Sequence, residues 1–424
     1  MLLLCEIDNF EILRLSPKNS KVFIGGTIML QPVIVESTRT AIGRIGGALR
    51  NELVDNLASK VIRELLKRAN DLIEIDEVIL GQTKQSSDSP NLGRLASLRS
   101  GLPVDVTGYT VHRQCGSGLQ AINSADMQIR LGLAEVIIAG GAESMSTAPY
   151  YIRNARYGLQ AGNGVLLDPN TESQPRSQPF EVYGNLTMGL TAENLAEMHC
   201  ITREEQDEFA LRSQVLAERA INEGKFKKEI VPYELKEQKQ PIMFATDEHP
   251  RKTSLENLSK LKPVFKEDGT VTAGNASGRN DAASAVLMMS ENKAKHFGLK
   301  PKAKIIAQAV SGVSPEIMGI GPVYSTQKAL KQCGLNLDDI GLFELNEAFA
   351  AQALAVIKVG GYDIGKVNVN GGAIALGHPI GATGAILLTK LIHEMERTGI
   401  KYGLVTLCIG GGQGISTIIE NLTT

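Results

Sequence analysis

The chain has 424 residues, 43% hydrophobic and 21% charged, with a formal net charge of -2. That length exceeds one ordinary core, and the composition is that of a folded chain rather than a disordered one. The near-balanced charge excludes the basic footprint of a nucleic-acid binder, and no apolar run is long enough to span a bilayer.

The start, "MLLLCEIDNFEILRLSPKNS", lacks the basic n-region of a signal peptide and carries acidic residues inside its apolar part. Residues 25–29 read "GGTIM". Gly-Gly can be encoded by GGAGG, a bacterial ribosome-binding sequence, at a suitable distance before Met29. Translation is therefore expected to begin at Met29, with residues 1–28 as upstream sequence.

From there strands and helices alternate, so the class is α/β. "PVIVES" (32–37) reads as a buried strand by its β-branched run. "NELVDNLASKVIRELLKRA" carries helical spacing at Leu53, Leu57, Val61 and Leu65. "IDEVILGQ" and "LAEVIIAGGAES" read as further strands. Residues 148–275 are more polar and read as a long insertion, with Thr202 and Glu205 forming a capping box ahead of "EQDEFALRSQVLAERAI". Late in the chain come "IGLFELNEAFAAQALAVI", "VNVNGG", "ATGAILLTKLIHEM" and "YGLVTLCIGGGQGISTIIE". The late segments repeat the order of the early ones: strand, Gly turn, helix, strand, Gly cluster. An ancestral duplication accounts for this pattern.

Five cysteines, Cys5, Cys115, Cys200, Cys333 and Cys408, are scattered and show no CxxC pair. This argues against a disulfide framework or zinc site and fits a reducing cytosol. Cys115 precedes a Gly-Ser-Gly turn at what reads as a helix start, "RQCGSGLQA" (113–121). There the helix dipole and free N–H groups favour a thiolate. Cys408 follows an apolar strand and precedes three glycines. Glycine-rich turns at strand ends gather at one crevice in α/β sheets, which brings Cys115, His378 and Cys408 together. The reading is one thiolate as nucleophile, a histidine as its base, and a second thiol moving a proton. Asn346 and Glu347 end a strand, where an amide is placed to fix a water or a carbonyl. Cys200 and Cys333 read as structural.

The motifs "QCGSGLQA", "NEAFAAQ" (346–352), "NGGAIALGHPIGATGA" (370–385) and "TLCIGGGQG" (406–414) resemble those of the thiolase family. That family comprises acetyl-CoA acetyltransferases and 3-ketoacyl-CoA thiolases. Four motifs in order, from about Met29 to the C-terminus, are specific. The resemblance implies a duplicated five-layer αβαβα core with an inserted loop domain. One half would comprise residues 29–147 with 276–299, the loop domain 148–275, and the other half 300–424.

It implies that Cys115 is acylated, that His378 takes its proton and helps hold the thioester oxygen, and that Asn346 holds a water in the same oxyanion hole. Cys408 would exchange the α-proton of acetyl-CoA. The N–H groups of Cys115 and Gly410 would form a second oxyanion hole. Ser277 would line the pantetheine channel, Met188 the acyl pocket, and Arg251 the region near the CoA nucleotide. Substrates would be acetyl-CoA, CoA and 3-ketoacyl-CoA, with no metal or other cofactor, in a cytoplasmic, bacterial homodimer or homotetramer. Two positions depart from the family pattern. Thr187 stands where short-chain members often have His, which leaves longer acyl chains open, and His112 stands where Asn is more usual. Other readings are a decarboxylating condensing enzyme, a cysteine hydrolase, and a non-catalytic CoA- or lipid-binding relative.

Overall fold

A computed structural model describes residues 22–24, 27–71, 73–159, 161–235 and 241–423. The start-site expectation lies mostly outside them. Only a short antiparallel ribbon, Val22–Ile24 with Thr27–Met29, is described there.

The first half contains strands β1 (Pro32–Thr40), β2 (Glu77–Gly81), β3 (Thr107–Val111) and β4 (Val136–Ser144), with helices α1 (Val54–Arg68) and α2 (Ser117–Arg130). Two long helices of the insertion, α3 (Met188–Met198) and α4 (Arg203–Asn222), precede β5 (Asn280–Ser290). The second half contains β6 (Ala303–Gly312), α5 (Gly321–Cys333), β7 (Leu342–Leu345), α6 (Ala350–Gly360), α7 (Ile380–Thr398), β8 (Tyr402–Ile409) and β9 (Gln413–Asn421).

The two halves build the same sheet. In the first the order is β1-β5-β4-β2-β3, with β5 antiparallel to β1 and β4, and β2 parallel to β4 and β3. In the second it is β6-β9-β8-β7, with β9 antiparallel to β6 and β8, and β7 parallel to β8. A single bridge between Ile34 and Ala303 joins the sheets. The repeat read from the sequence is therefore a repeat of strand order and direction.

Five layers follow from the side-chain alternation of strands buried on both faces. Along β2, Val78 and Leu80 face α1, in a cluster with Leu57, Val61 and Leu65. Ile79, between them, faces a central layer with Leu119 of α2 and Leu388 and Leu391 of α7. Val405 and Leu407 of β8 close that layer from the second sheet. Leu404 faces the outer helices α5 and α6, with Val323, Ala353 and Val356. The two central helices touch closely because Gly118 lacks a side chain. A Cβ there would lie 2.8 Å from the Gly381 carbonyl oxygen.

Helix α1 follows the predicted stripe except at its start. Leu57, Val61 and Leu65 are fully buried, while Leu53 is the N-cap and 44% exposed. The capping box at Thr202 and Glu205 forms as predicted. "VNVNGG" differs from expectation. Only Val367 bridges, to Phe343 of β7, and Asn368 turns to φ 48°. The Asn368 side chain then replaces the next rung of the ladder. Its Oδ1 accepts from the Leu345 N–H at 2.9 Å and its Nδ2 donates to the Leu345 carbonyl at 2.8 Å.

The insertion is anchored electrostatically to the core. Arg39 on β1 is fully buried and pairs with Asp247 at 2.7 Å and Glu229 at 2.8 Å. Removing the guanidinium leaves two buried carboxylates uncompensated. Arg39→Met is expected to lower stability by about 3–5 kcal/mol, read from the midpoint of urea unfolding. An unchanged midpoint would contradict this account of the anchor.

Candidate active site

Cys115 lies four residues beyond β3, on a turn set by its neighbours. Gln114 adopts a left-handed φ of 44°, uncommon for a side-chain-bearing residue. The Ser117 hydroxyl latches the turn, accepting from the Arg113 N–H at 2.9 Å and donating to the Gln114 carbonyl at 2.6 Å. Helix α2 starts at Ser117, with Gly116 as its N-cap. Cys115 is thus held at the mouth of a helix, as the motif predicted. Burial nevertheless pushes its pKa up to about 11, opposed by N–H groups of Gly410 and of Cys115 itself and by the Lys84 charge. The resting group at neutral pH is the thiol.

His378 is buried, with 7% exposure, just before α7. Its N–H donates to Asn280 Oδ1 at 3.0 Å. The Thr383 hydroxyl donates to the Pro379 carbonyl at 2.9 Å, which spends its only proton. The contact of 2.6 Å between His378 Nδ1 and Thr383 Oγ1 therefore has Nδ1 as donor. That network leaves Nε2 as the unprotonated nitrogen, and Asn346 Nδ2 lies 3.5 Å from it. Burial lowers the His378 pKa to about 4, so the ring is neutral at physiological pH. A neutral imidazole and a neutral thiol lining one cavity are suited to act as base and acid rather than as a preformed ion pair.

Asn346 is fully buried at the end of β7, and its Oδ1 has no hydrogen-bond partner among the described residues. Glu347, next to it, serves the scaffold. Its carboxylate accepts from Ser213 Oγ at 2.7 Å, Asn368 Nδ2 at 2.8 Å and the Ile374 N–H at 3.2 Å. Cys408, in β8, is fully buried in a small cluster with Met318 and Ala348, against Met188 and Phe349. Burial, reinforced by charge at Cys115, raises its pKa well above the usual thiol value. Gly411 and Gly412, at φ 87° and 84°, turn the chain beyond it.

One cavity of about 190 Å³ is lined by Cys115, His378, Gly410, Ser277 and Met188. Asn346 joins it through His378, and Cys408 lies behind Met188 and Met318. Arg251 is elsewhere. It lines a separate cleft with Gln214, Glu218 and Lys252, and donates to the Ala273 carbonyl at 2.9 Å. Thr187 caps α3 through the Leu190 N–H and is not among the cavity-lining residues. His112 is exposed, as is Cys200, and Cys333 bonds back to the Ala329 carbonyl within α5. Cys5 lies outside the described residues.

Sequence reasoning missed Lys84, Gln114, Ser177 and Phe349, which line the same cavity. It also missed Thr383, which fixes the histidine tautomer. Lys84 was accessible in principle, because it stands just beyond the end of β2, where ligands of α/β sheets are met.

Family models for "Thiolase, N-terminal domain" and "Thiolase, C-terminal domain" match residues 32–292 and 299–421. The acetyl-CoA acetyltransferase of Syntrophomonas wolfei subsp. wolfei is 48% identical over 395 residues, covering 92% of this chain and 99% of that protein. The crystal structure of the Bacillus anthracis acetyl-CoA acetyltransferase superposes with a TM-score of 0.90 at 48% identity, covering 93% of this chain and 99% of the other. Human mitochondrial 3-ketoacyl-CoA thiolase in complex with CoA gives 0.88 at 44%, covering 92% and 98%.

Proposed function

The chain belongs to the thiolase family and is an acyltransferase, and we propose that it runs a reversible Claisen reaction through an acyl group carried on Cys115. The observation that carries the reading is the cavity placing Cys115 with His378 Nε2 and Gly410, backed by Cys408.

In the cleaving direction, His378 Nε2 takes the Cys115 proton as sulfur adds to the 3-keto carbon. The bond between C2 and C3 then breaks, and the carbanion at C2 takes a proton from Cys408. Acetyl-CoA leaves, and the thiol of a second CoA displaces the acyl group from Cys115. The condensing direction reverses these steps with two acetyl-CoA. The difficult species are the tetrahedral oxyanion and the enolate, and each needs fixed donors. The N–H groups of Cys115 and Gly410, which favour negative charge at the thiol, would supply one set. His378 and a water held by Asn346 supply the other. The unpartnered, buried Asn346 Oδ1 supports that water. Ser277 and Met188 would line the pantetheine and acyl regions of the cavity, and Arg251 the approach of the CoA nucleotide. The working enzyme is proposed to be a cytoplasmic homodimer or homotetramer that needs only CoA thioesters. Among the described residues no helix is long and apolar enough to cross a membrane.

Thiolysis of 3-ketoacyl-CoAs, from acetoacetyl-CoA upward, tests this. Acetoacetyl-CoA is expected to be cleaved by the wild type. Turnover that rises with chain length would favour a 3-ketoacyl-CoA thiolase of longer chains. Failure on every substrate would contradict the activity.

A further inference from the structure

The cavity at Cys115 has two chemically different walls. Met188, Phe265, Met318 and Phe349 make an apolar one. Lys84, Gln114, Asn170, Ser173, Gln174, Ser177 and Arg279 make a polar one, in which Arg279 is paired with Asp168 at 3.6 Å. A hydrocarbon chain gains nothing from the second wall, and it would strip water from groups it cannot bond.

Lys84 is one of two cations in that lining, and the one whose ammonium bonds only neutral acceptors. Its backbone N–H donates to Glu143 at 3.0 Å, which fixes the residue at the end of β2. Its ammonium, in a residue only 8% exposed, donates to Ser173 Oγ at 2.5 Å and to the Pro169 carbonyl at 3.2 Å. Both acceptors are neutral, and an ammonium has three protons. Glu143 is already occupied by the N–H groups of Thr83, Lys84 and Gly381 and by the Thr83 hydroxyl. Burial lowers the Lys84 pKa although the Glu143 and Asp168 carboxylates oppose this, so an ammonium whose hydrogen bonds go to neutral acceptors and which keeps a spare donor gains from an anion in the cavity. Lys84 lines the same cavity as Cys115, and its charge is felt at that thiol. A four-carbon acyl group on the Cys115 sulfur reaches about 6 Å from it, given ordinary bond lengths.

We propose that Lys84 reads a carboxylate at the far end of the acyl group, so that the enzyme takes 3-oxo-dicarboxylyl-CoA thioesters. This rests on the thiolase reading above. With 3-oxohexanedioyl-CoA, Cys115 adds to C3 and its proton passes to His378. The bond between C2 and C3 breaks, the four-carbon carboxylated acyl group stays on sulfur, and C2 takes the Cys408 proton and leaves as acetyl-CoA. The proton held by His378 then restores Cys408, and as the thiol of CoA takes the acyl group its own proton passes through His378 to Cys115.

The test is thiolysis of a matched pair, 3-oxohexanedioyl-CoA and 3-oxohexanoyl-CoA, which share chain length and differ in the terminal group. The wild type is expected to favour the dicarboxylyl substrate by about tenfold or more in kcat/KM, the scale of one charge-assisted hydrogen bond. Lys84→Met should lower that ratio by a similar factor, while Lys84→Arg keeps the preference. A wild-type ratio at or below one overturns the proposal. So does a ratio that Lys84→Met leaves unchanged, the result if Lys84 acts only on the Cys115 thiol. Acetoacetyl-CoA is run beside the pair, and a wild type that cleaves none of the three overturns the thiolase reading instead. If Lys84→Met does not fold, inhibition of wild-type acetoacetyl-CoA thiolysis decides. Hexanedioyl-CoA must inhibit more strongly than hexanoyl-CoA; equal or weaker inhibition overturns the proposal.

Discussion

Cys115→Ala is expected to abolish both condensation and thiolysis, with kcat falling by roughly four to six orders of magnitude. The reason is chemical rather than structural. The side chain shares a cavity with His378 and Gly410, and no other cysteine among the described residues lines it. The turn that holds it is latched by Ser117 and capped by Gly116, neither of which the substitution touches. Unfolding by urea should therefore be almost unmoved while turnover is lost. Steady-state thiolysis of acetoacetyl-CoA and condensation of acetyl-CoA read the first quantity. Residual activity within about a hundredfold of the wild type would mean that sulfur at this position is not the acyl carrier.

Cys408→Ala should behave differently. Loss of a proton-transfer group costs about 10²–10⁴-fold, so overall turnover is expected to fall by that much. Transfer of an acetyl group from acetyl-CoA to Cys115 makes no carbanion and does not require Cys408. That half-reaction should survive, seen as exchange of labelled CoA into acetyl-CoA. The two variants therefore separate the two thiols: one loses both half-reactions, the other only the carbon–carbon step. Equal loss of exchange and condensation in Cys408→Ala would assign Cys408 a packing role, which its burial against Met318 and Ala348 also permits.

The core was legible because its signals are local. Runs such as "VIIAGGAES" are apolar on both faces, and such strands belong between helix layers. The observed strand spans Val136–Ser144 and is buried throughout. The doubled order of segments anticipated the doubled sheet. "VNVNGG" misled because its alternation is that of a strand, while Asn368 satisfies the Leu345 backbone groups with its side chain instead. Glycine-rich strand ends singled out Cys115, His378 and Cys408, and the fold brings the first two to one cavity with the third behind Met188 and Met318. Lys84 was not singled out, because its meaning depends on Pro169 and Ser173, about eighty-five residues away in the insertion. Pairing a loop with an insertion is a long-range fact that neither periodicity nor spacing encodes. Arg251, which the resemblance placed near the CoA nucleotide, lines a cleft with Gln214, Glu218 and Lys252, a position that no spacing in the sequence indicates.

The central claim is that the acyl group passes through Cys115. Brief mixing of the wild-type protein with acetyl-CoA, an acid quench and peptide mass spectrometry tests it most directly. One acetyl group on the peptide containing Cys115, removed by added CoA and absent from Cys115→Ala, is the predicted result. Full turnover with no acetylated intermediate, or with the acetyl group on another residue, would contradict it.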